Sequence, residues 1–199
     1  MKKLLSIVVA LVLMFNFTSC ATNKQMIGKK TKTDTGIKYE NHYAKIGYDF
    51  DESWRVYNDV EMKSALGLND NFTDKNGVFI DLYAKKKTGV TGYMNISFQE
   101  IRGISKLEFD VEELCEAVKS NVLYTLQNQG FKSVMPKIKK ATFLGKEVYT
   151  IHIYAEYNIG KYYFLITFVE TDYHIMQIDI NTQNVDQTQE ILSNFYALN

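Results

Sequence analysis

Polar and apolar residues alternate with a period of two in three separate segments of the first half of the chain. The segment "YAKIGYDF" places Ile46, Tyr48 and Phe50 on alternate positions, and "VFIDLYA" does the same with Val78, Ile80 and Leu82. In "YMNISFQE", Met94, Ile96 and Phe98 alternate with polar Asn95, Ser97 and Gln99. This pattern predicts strands that each bury one face. Between the second and third runs, "KKKTGVTG" has the charge and glycine of an exposed hairpin connection, with Lys85 to Lys87 at a solvated tip.

The period then changes. Val111, Leu114, Cys115, Val118, Val122 and Leu126 form one apolar stripe at helical spacing. Asp110 with Glu113 resembles a capping box at its start, Gly130 supplies the stop, and Pro136 falls in the connection that follows. Three further runs, "KEVYTIHIYAEYN", "KYYFLITFVE" and "YHIMQIDIN", are separated by short turn signals and predict an antiparallel meander. Its middle strand points Tyr162, Phe164, Ile166 and Phe168 one way and Leu165 and Val169 the other, as in a central strand covered on both faces. A closing amphipathic turn with Val185, Thr188, Leu192 and Phe195 on one side would cover part of that sheet. The fold class predicted is α+β, an antiparallel β-sheet with one long and one short covering helix.

The N-terminus follows another logic. Lys2 and Lys3 precede an apolar run from Leu4 to Phe15, and small polar Thr18 and Ser19 precede Cys20, the order of a secretory leader. A membrane-spanning helix wants about 20 mainly apolar residues, and Asn16, Thr18, Ser19, Thr22 and Asn23 dilute the second half of this stretch. "FTSC" resembles the relaxed lipobox of Bacteroidetes lipoproteins, with Phe17, Thr18 and Ser19 where Leu, Ala or Ser, and Gly or Ala are commoner. That resemblance implies a bacterial lipoprotein of the cell envelope. Cys20 would carry a thioether-linked diacylglycerol and an acylated amine, a palmitate-type anchor at the outer membrane or periplasmic face. Each buried methylene contributes about 0.8 kcal/mol, so several chains hold where one would not. A conventional leader cut nearby is the competing reading.

The expected division is therefore a signal peptide over 1–19, the lipidated cysteine with a flexible tether over 20–36, and a single globular domain over 37–199. The tether "ATNKQMIGKKTKTDTG" shows no hydrophobic period. Its Lys24, Lys29, Lys30 and Lys32 either rest on anionic headgroups or are simply solvated.

Charge narrows the partners. The 199 residues hold 23 basic and 23 acidic side chains, and loss of Lys2 and Lys3 with the leader leaves two acids in excess. Nucleic acid is not an expected partner, because phosphate binding needs a basic footprint. The expected partners are the membrane, through the anchor, and an envelope protein or small ligand.

Candidate chemistry is sparse. Cys115 sits on the apolar stripe of the long helix, where a thiol is a small inert hydrophobe, and "EELCEAV" lacks the local signature of a cysteine nucleophile. His42, His152 and His174 form no close pair, and the last two fall on strands separated by another, so a shared metal is not expected. "DNFTDKNG" has the composition of a calcium loop but places Phe72 at the first ligand position. There is no glycine-rich phosphate loop and no serine elbow, so neither a cofactor nor an enzymatic activity is expected. Among 14 tyrosines, Tyr154, Tyr157 and Tyr162 are the candidates for an aromatic ligand site, against the plainer role of packing pleated strands.

The order of elements brings a second resemblance. "IGYDFDESWRVY" as a first hairpin, two strands, one long helix, "FLGKEVYTIHIY" leading into a meander, and a terminal helix are similar to the PsbP-like α/β sandwich. That fold is shared by photosystem II extrinsic subunits, a Ran-binding transport protein and many bacterial lipoproteins. The family often has proline and glycine just before the tryptophan, where this chain has Asp51, Glu52 and Ser53 ahead of Trp54. The resemblance covers roughly Gly36 to Leu198 and implies a noncatalytic accessory or binding module, with no catalytic residues to transfer.

Overall fold

A computed structural model describes residues 26–100, 110–158, 160–171 and 173–199. Two antiparallel sheets account for the strands. The smaller contains β1 (Lys29–Thr33), β2 (Gly36–Asn41), β3 (Ile46–Asp51) and β11 (Tyr196–Ala197), in the order β1-β2-β3-β11. The larger contains β4 (Trp54–Val56), β5 (Phe79–Lys86), β6 (Gly92–Glu100), β7 (Lys132–Phe143), β8 (Lys146–Tyr157), β9 (Gly160–Glu170) and β10 (His174–Gln183). Its order is β4-β5-β6-β10-β9-β8-β7. The helices are α1 (Asp59–Leu66), α2 (Val111–Asn128) and α3 (Thr188–Ser193).

Strand parity sorts the side chains into layers. Tyr39, Tyr48 and Phe50 of the small sheet meet Met94, Ile96, Phe98, Leu165 and Ile178 of the large one in a common core, which α3 closes with Ile191 and Leu192. On the opposite face of the large sheet, the α2 stripe of Cys115, Val118, Val122 and Leu126 packs on Ile151, Ile153, Phe164, Ile166 and Phe168. The four stripe residues are at most 1% exposed, and full burial of one such aliphatic side chain contributes about 1.5–3 kcal/mol. β9 is covered on both faces, as its double apolar pattern predicts. The result is an α+β sandwich.

Several expectations need correction. Residues 26–36 are no leash: Met26 is 4% exposed, and β1 pairs with β2 from Lys29↔Glu40 to Thr33↔Gly36, so the folded unit begins before residue 37. β3 and β4 do not form a hairpin, since they belong to different sheets. Pro136 lies inside β7 and not in a connection; β7 is a sheet edge, where a missing N–H costs no ladder bond. Val185 is 52% exposed, while Thr188, Leu192 and Phe195 are buried as expected. The capping box belongs to α1, through Asn58 and Glu61, whereas Asp110 caps α2 by accepting from the Glu112 amide at 2.7 Å.

β5 departs most instructively. Its register against β6 shifts between Ile80 and Leu82, leaving Asp81 as the extra residue of a bulge. Val78 and Ile80 therefore pack with Met62 of α1, and Leu82 joins the core between the sheets. Asp81 is 2% exposed and reaches the small sheet: its Oδ1 accepts from the Gly28 amide at 2.7 Å, and its Oδ2 accepts from Tyr39 Oη at 2.5 Å and Asn41 Nδ2 at 2.8 Å. Asn41 Nδ2 also donates to the Met26 carbonyl at 2.6 Å. This cluster fastens the start of the domain.

Candidate functional site

One corner between the sheets stays open. β1 is an edge of the small sheet and β4 an edge of the large one, and between them lies a cleft of about 430 Å³. Lys30 and Lys32 of β1 line one wall, Ile37, Trp54 and Val56 the floor, and Lys87 of the β5–β6 hairpin the far side. Asp34, Asp51 and Glu52 also line it.

Local sequence explains the shape. Gly36 opens β2 with φ +152°, and a Cβ there would lie 1.9 Å from the Phe50 carbonyl oxygen, so only glycine lets β2 approach β3 this closely. Asp51 Oδ1 accepts from the Ser53 amide at 2.8 Å and from the Ser53 hydroxyl, turning the chain between sheets where the resembling family uses proline and glycine. Trp54 is 6% exposed and meets the Phe50 ring edge-on at 5.5 Å. Lys86 Nζ stands 5.5 Å from the Trp54 ring, and the Lys87 amide donates to the Ser53 carbonyl at 2.7 Å.

Charge is arranged around this apolar floor. Lys30 Nζ pairs with Asp59 Oδ1 at 3.1 Å, tying β1 to the start of α1. Arg55 pairs with Glu61 at 2.8 Å and lies 4.7 Å from the Tyr57 ring centroid. Lys32 and Lys87 stand exposed at the rim. The cleft thus has an aromatic and aliphatic floor with both lysines and carboxylates around it.

The tyrosine trio does not assemble into one site. Tyr157 and Tyr162 surround Phe131, with ring centroids 5.0 and 5.3 Å from it, in the core beneath α2. Tyr154 differs from Tyr157 in strand parity, so it lies on the opposite face of the sheet, paired with Tyr163 at 5.6 Å and bonded to Glu156. Cys20 lies outside the described residues. Cys115 is fully buried, and burial, reinforced by Glu112, Glu116 and Asp110, pushes its thiol up to about 12, opposite to what a nucleophile needs. His174 Nδ1 lies 2.7 Å from Tyr43 Oη, and burial lowers its pKa, as it does that of His152. Among the described residues no group of three or more His, Cys, Asp or Glu side chains is placed to hold a metal.

Sequence reasoning missed the cleft, whose residues come from three separated segments. The signal available was the tryptophan phrase together with the lysine-rich hairpin that folds back beside it.

No protein-family model and no curated protein sequence matches the chain. Solved structures do resemble it. LpqN of Mycobacterium tuberculosis, described as involved in cell envelope biogenesis, aligns at 8% identity with a TM-score of 0.44 over 92% of this chain and 99% of its own. Cyanobacterial PsbP (CyanoP) from Synechocystis sp. PCC 6803 aligns at 10% identity with a TM-score of 0.53, covering 91% of this chain and 98% of that one. With the likeness to CyanoP running through nearly all of both chains, the fold is a PsbP-like α+β sandwich.

Proposed function

We propose that this chain is a lipid-anchored accessory module of the cell envelope, without catalytic activity, that engages a partner protein through the cleft between β1 and β4. The observation that carries the reading is that cleft: an open, preformed, aromatic-floored corner with exposed Lys32 and Lys87, in a domain whose cysteine is buried and inert. Anchoring rests on the leader and the "FTSC" phrase. Met26 is already buried in the domain, five residues beyond Ala21, and a chain spans at most about 3.6 Å per residue, so acyl chains on Cys20 would hold the domain within about 20 Å of the bilayer.

A second reading has its own support. A cleft of about 430 Å³ with a Trp54 floor is of the size that takes small molecules, which favours a ligand-binding lipoprotein.

Photocrosslinking in intact envelopes separates the two. A photoreactive residue at Lys87 is expected to trap one defined protein, and the yield is expected to drop when Trp54 is replaced by alanine. Native mass spectrometry showing a retained small molecule, with no trapped protein, would transfer the function to the second reading. Cys20→Ser is expected to move the protein to the soluble fraction; unchanged membrane fractionation would refute the anchor.

A further inference from the structure

A polar strip runs through the middle of the large sheet on the face that α1 and α2 cover. Tyr93, Asn95, Ser97 and Gln99 follow one another on one face of β6, and Gln177, Asp179 and Asn181 stand beside them on β10, with Asn95 directly opposite Asp179 and Ser97 opposite Gln177. All but Gln99 are at most 7% exposed. On the neighbouring β9, the same register positions carry the apolar Phe164, Ile166 and Phe168 of the α2 core.

Asp179 sits at the centre of this strip. Its Oδ1 accepts from Gln177 Nε2 at 2.7 Å and its Oδ2 from Asn95 Nδ2 at 3.2 Å. Among the described residues no basic side chain pairs with it. The titratable group that interacts with it is Tyr93 on β6, which in turn sits near Tyr83 on β5 and Tyr162 on β9, and α2 turns Cys115 to the same face of the sheet. Burial raises the pKa of each of them, so all are uncharged at neutral pH. An ionised carboxylate here loses its hydration and gains only two neutral amides, and burial pushes Asp179 up to about 7. Beside it, Asn95 Oδ1 and the Tyr93 hydroxyl have no hydrogen-bond partner among the described residues. A protonated Asp179 brings one O–H donor, and Asn95 Oδ1 belongs to the amide that already touches it.

We propose that Asn95, Asp179 and Gln177 form a proton-binding site that links the packing of β6 against β10 to pH. One proton taken from solvent gives the neutral acid, which donates to Asn95 Oδ1. Its release leaves a buried charge and an unpaired amide oxygen, and loosens the two strands.

The direction follows from the two end states. The folded chain holds the proton up to about pH 7, whereas an unfolded aspartate releases it near 3.9. The stabilisation is therefore complete below about pH 4, falls by up to tenfold in the folding constant per pH unit as the pH rises to about 7, and is level above that.

Hydrogen exchange of the full chain, corrected for the intrinsic pH dependence, tests the link against Asp179→Asn. Subtracting the variant from the wild type cancels His152, His174 and the surface carboxylates. Protection of β6 and β10 amides is expected to fall at least tenfold more in the wild type than in D179N between pH 5 and 7.5; identical profiles would overturn the proposal. Should D179N fail to fold, the carboxyl ¹³C shift of Asp179 in the wild type decides: a midpoint near 7 supports the site, and one below 5 overturns it.

Discussion

Tyr39 on β2 donates to Asp81 in the bulge of β5 at 2.5 Å, a bond that crosses from one sheet to the other inside the core. Both side chains are at most 2% exposed. The same carboxylate takes the Gly28 amide and Asn41 Nδ2, so one residue fixes the first strand, the sheet interface and the bulge together. Asp81→Ala leaves the Gly28 amide and the Tyr39 hydroxyl without an acceptor and Asn41 Nδ2 with only the Met26 carbonyl, and is expected to destabilise the domain by about 3 kcal/mol or more. Tyr39→Phe removes one donor cleanly and should cost about 1 kcal/mol. Urea unfolding measures both, and hydrogen exchange should show the 26–33 segment opening first in D81A.

The elements legible in the sequence are those whose surroundings are apolar on a regular period. β9 showed its two covered faces because Leu165 and Ile166 enter different cores. α2 showed its stripe because one side meets the sheet and the other meets water. β1, β7 and α1 were illegible for a shared reason, namely that each owes its place to something other than an apolar face. "KKTKT" is an edge strand with mostly exposed side chains, β7 interrupts its apolar positions with lysines, and α1 buries only Met62 while its capping box secures its start. The bulge at Asp81 inverts parity after Ile80, so the alternation of Val78, Ile80 and Leu82 pointed to one face where the chain uses two. The opposite faces of Tyr154 and Tyr157 were readable from parity alone. The cleft was not, since it exists only once β1, β2, β4 and the β5–β6 turn converge.

Gly36 sets the cleft's depth. Alanine there places Cβ 1.9 Å from a backbone oxygen, which no rotamer relieves, so β2 must lift from β3. The expected cost is about 2–3 kcal/mol. In G36A, Trp54 fluorescence should shift red in the folded state as its indole gains water. Gly67→Ala, at a helix C-cap with φ +68° and nothing within 4 Å of its Cβ, carries the strain of a left-handed backbone without a clash and serves as the comparison.

Cys115 should behave as a core residue. In the Cys20→Ser background it is the sole thiol, and Ellman's reagent is expected to label it only as fast as α2 detaches, with the rate rising in step with urea. Labelling within seconds in native buffer would contradict burial at 0% exposure and a thiol held up to about 12. Cys115→Ser should cost about 1–3 kcal/mol through an unpaired buried hydroxyl, and more than Cys115→Val where the pocket accepts the extra methyl.

β7 ends the large sheet, and an edge twelve residues long would recruit other chains if it were flat and apolar. Its sequence prevents this in three ways. The register slips between Lys132 and Met135, where Ser133 takes φ +51°, which bends the strand's first turn away from the ladder. Pro136 removes a backbone donor. Lys137 and Lys139 then alternate along one face, and an approaching strand would have to desolvate both. The triple substitution Pro136→Val, Lys137→Val and Lys139→Val keeps the β-forming character of β7 and removes the last two safeguards. It should alter monomer stability by less than about 1 kcal/mol. Its association should rise steeply with protein concentration in light scattering, and faster at high salt because the remaining Lys132 and Lys140 repulsion is screened. Lys137→Arg with Lys139→Arg keeps the charge and should remain monomeric under the same conditions, which separates the role of charge from that of side-chain shape.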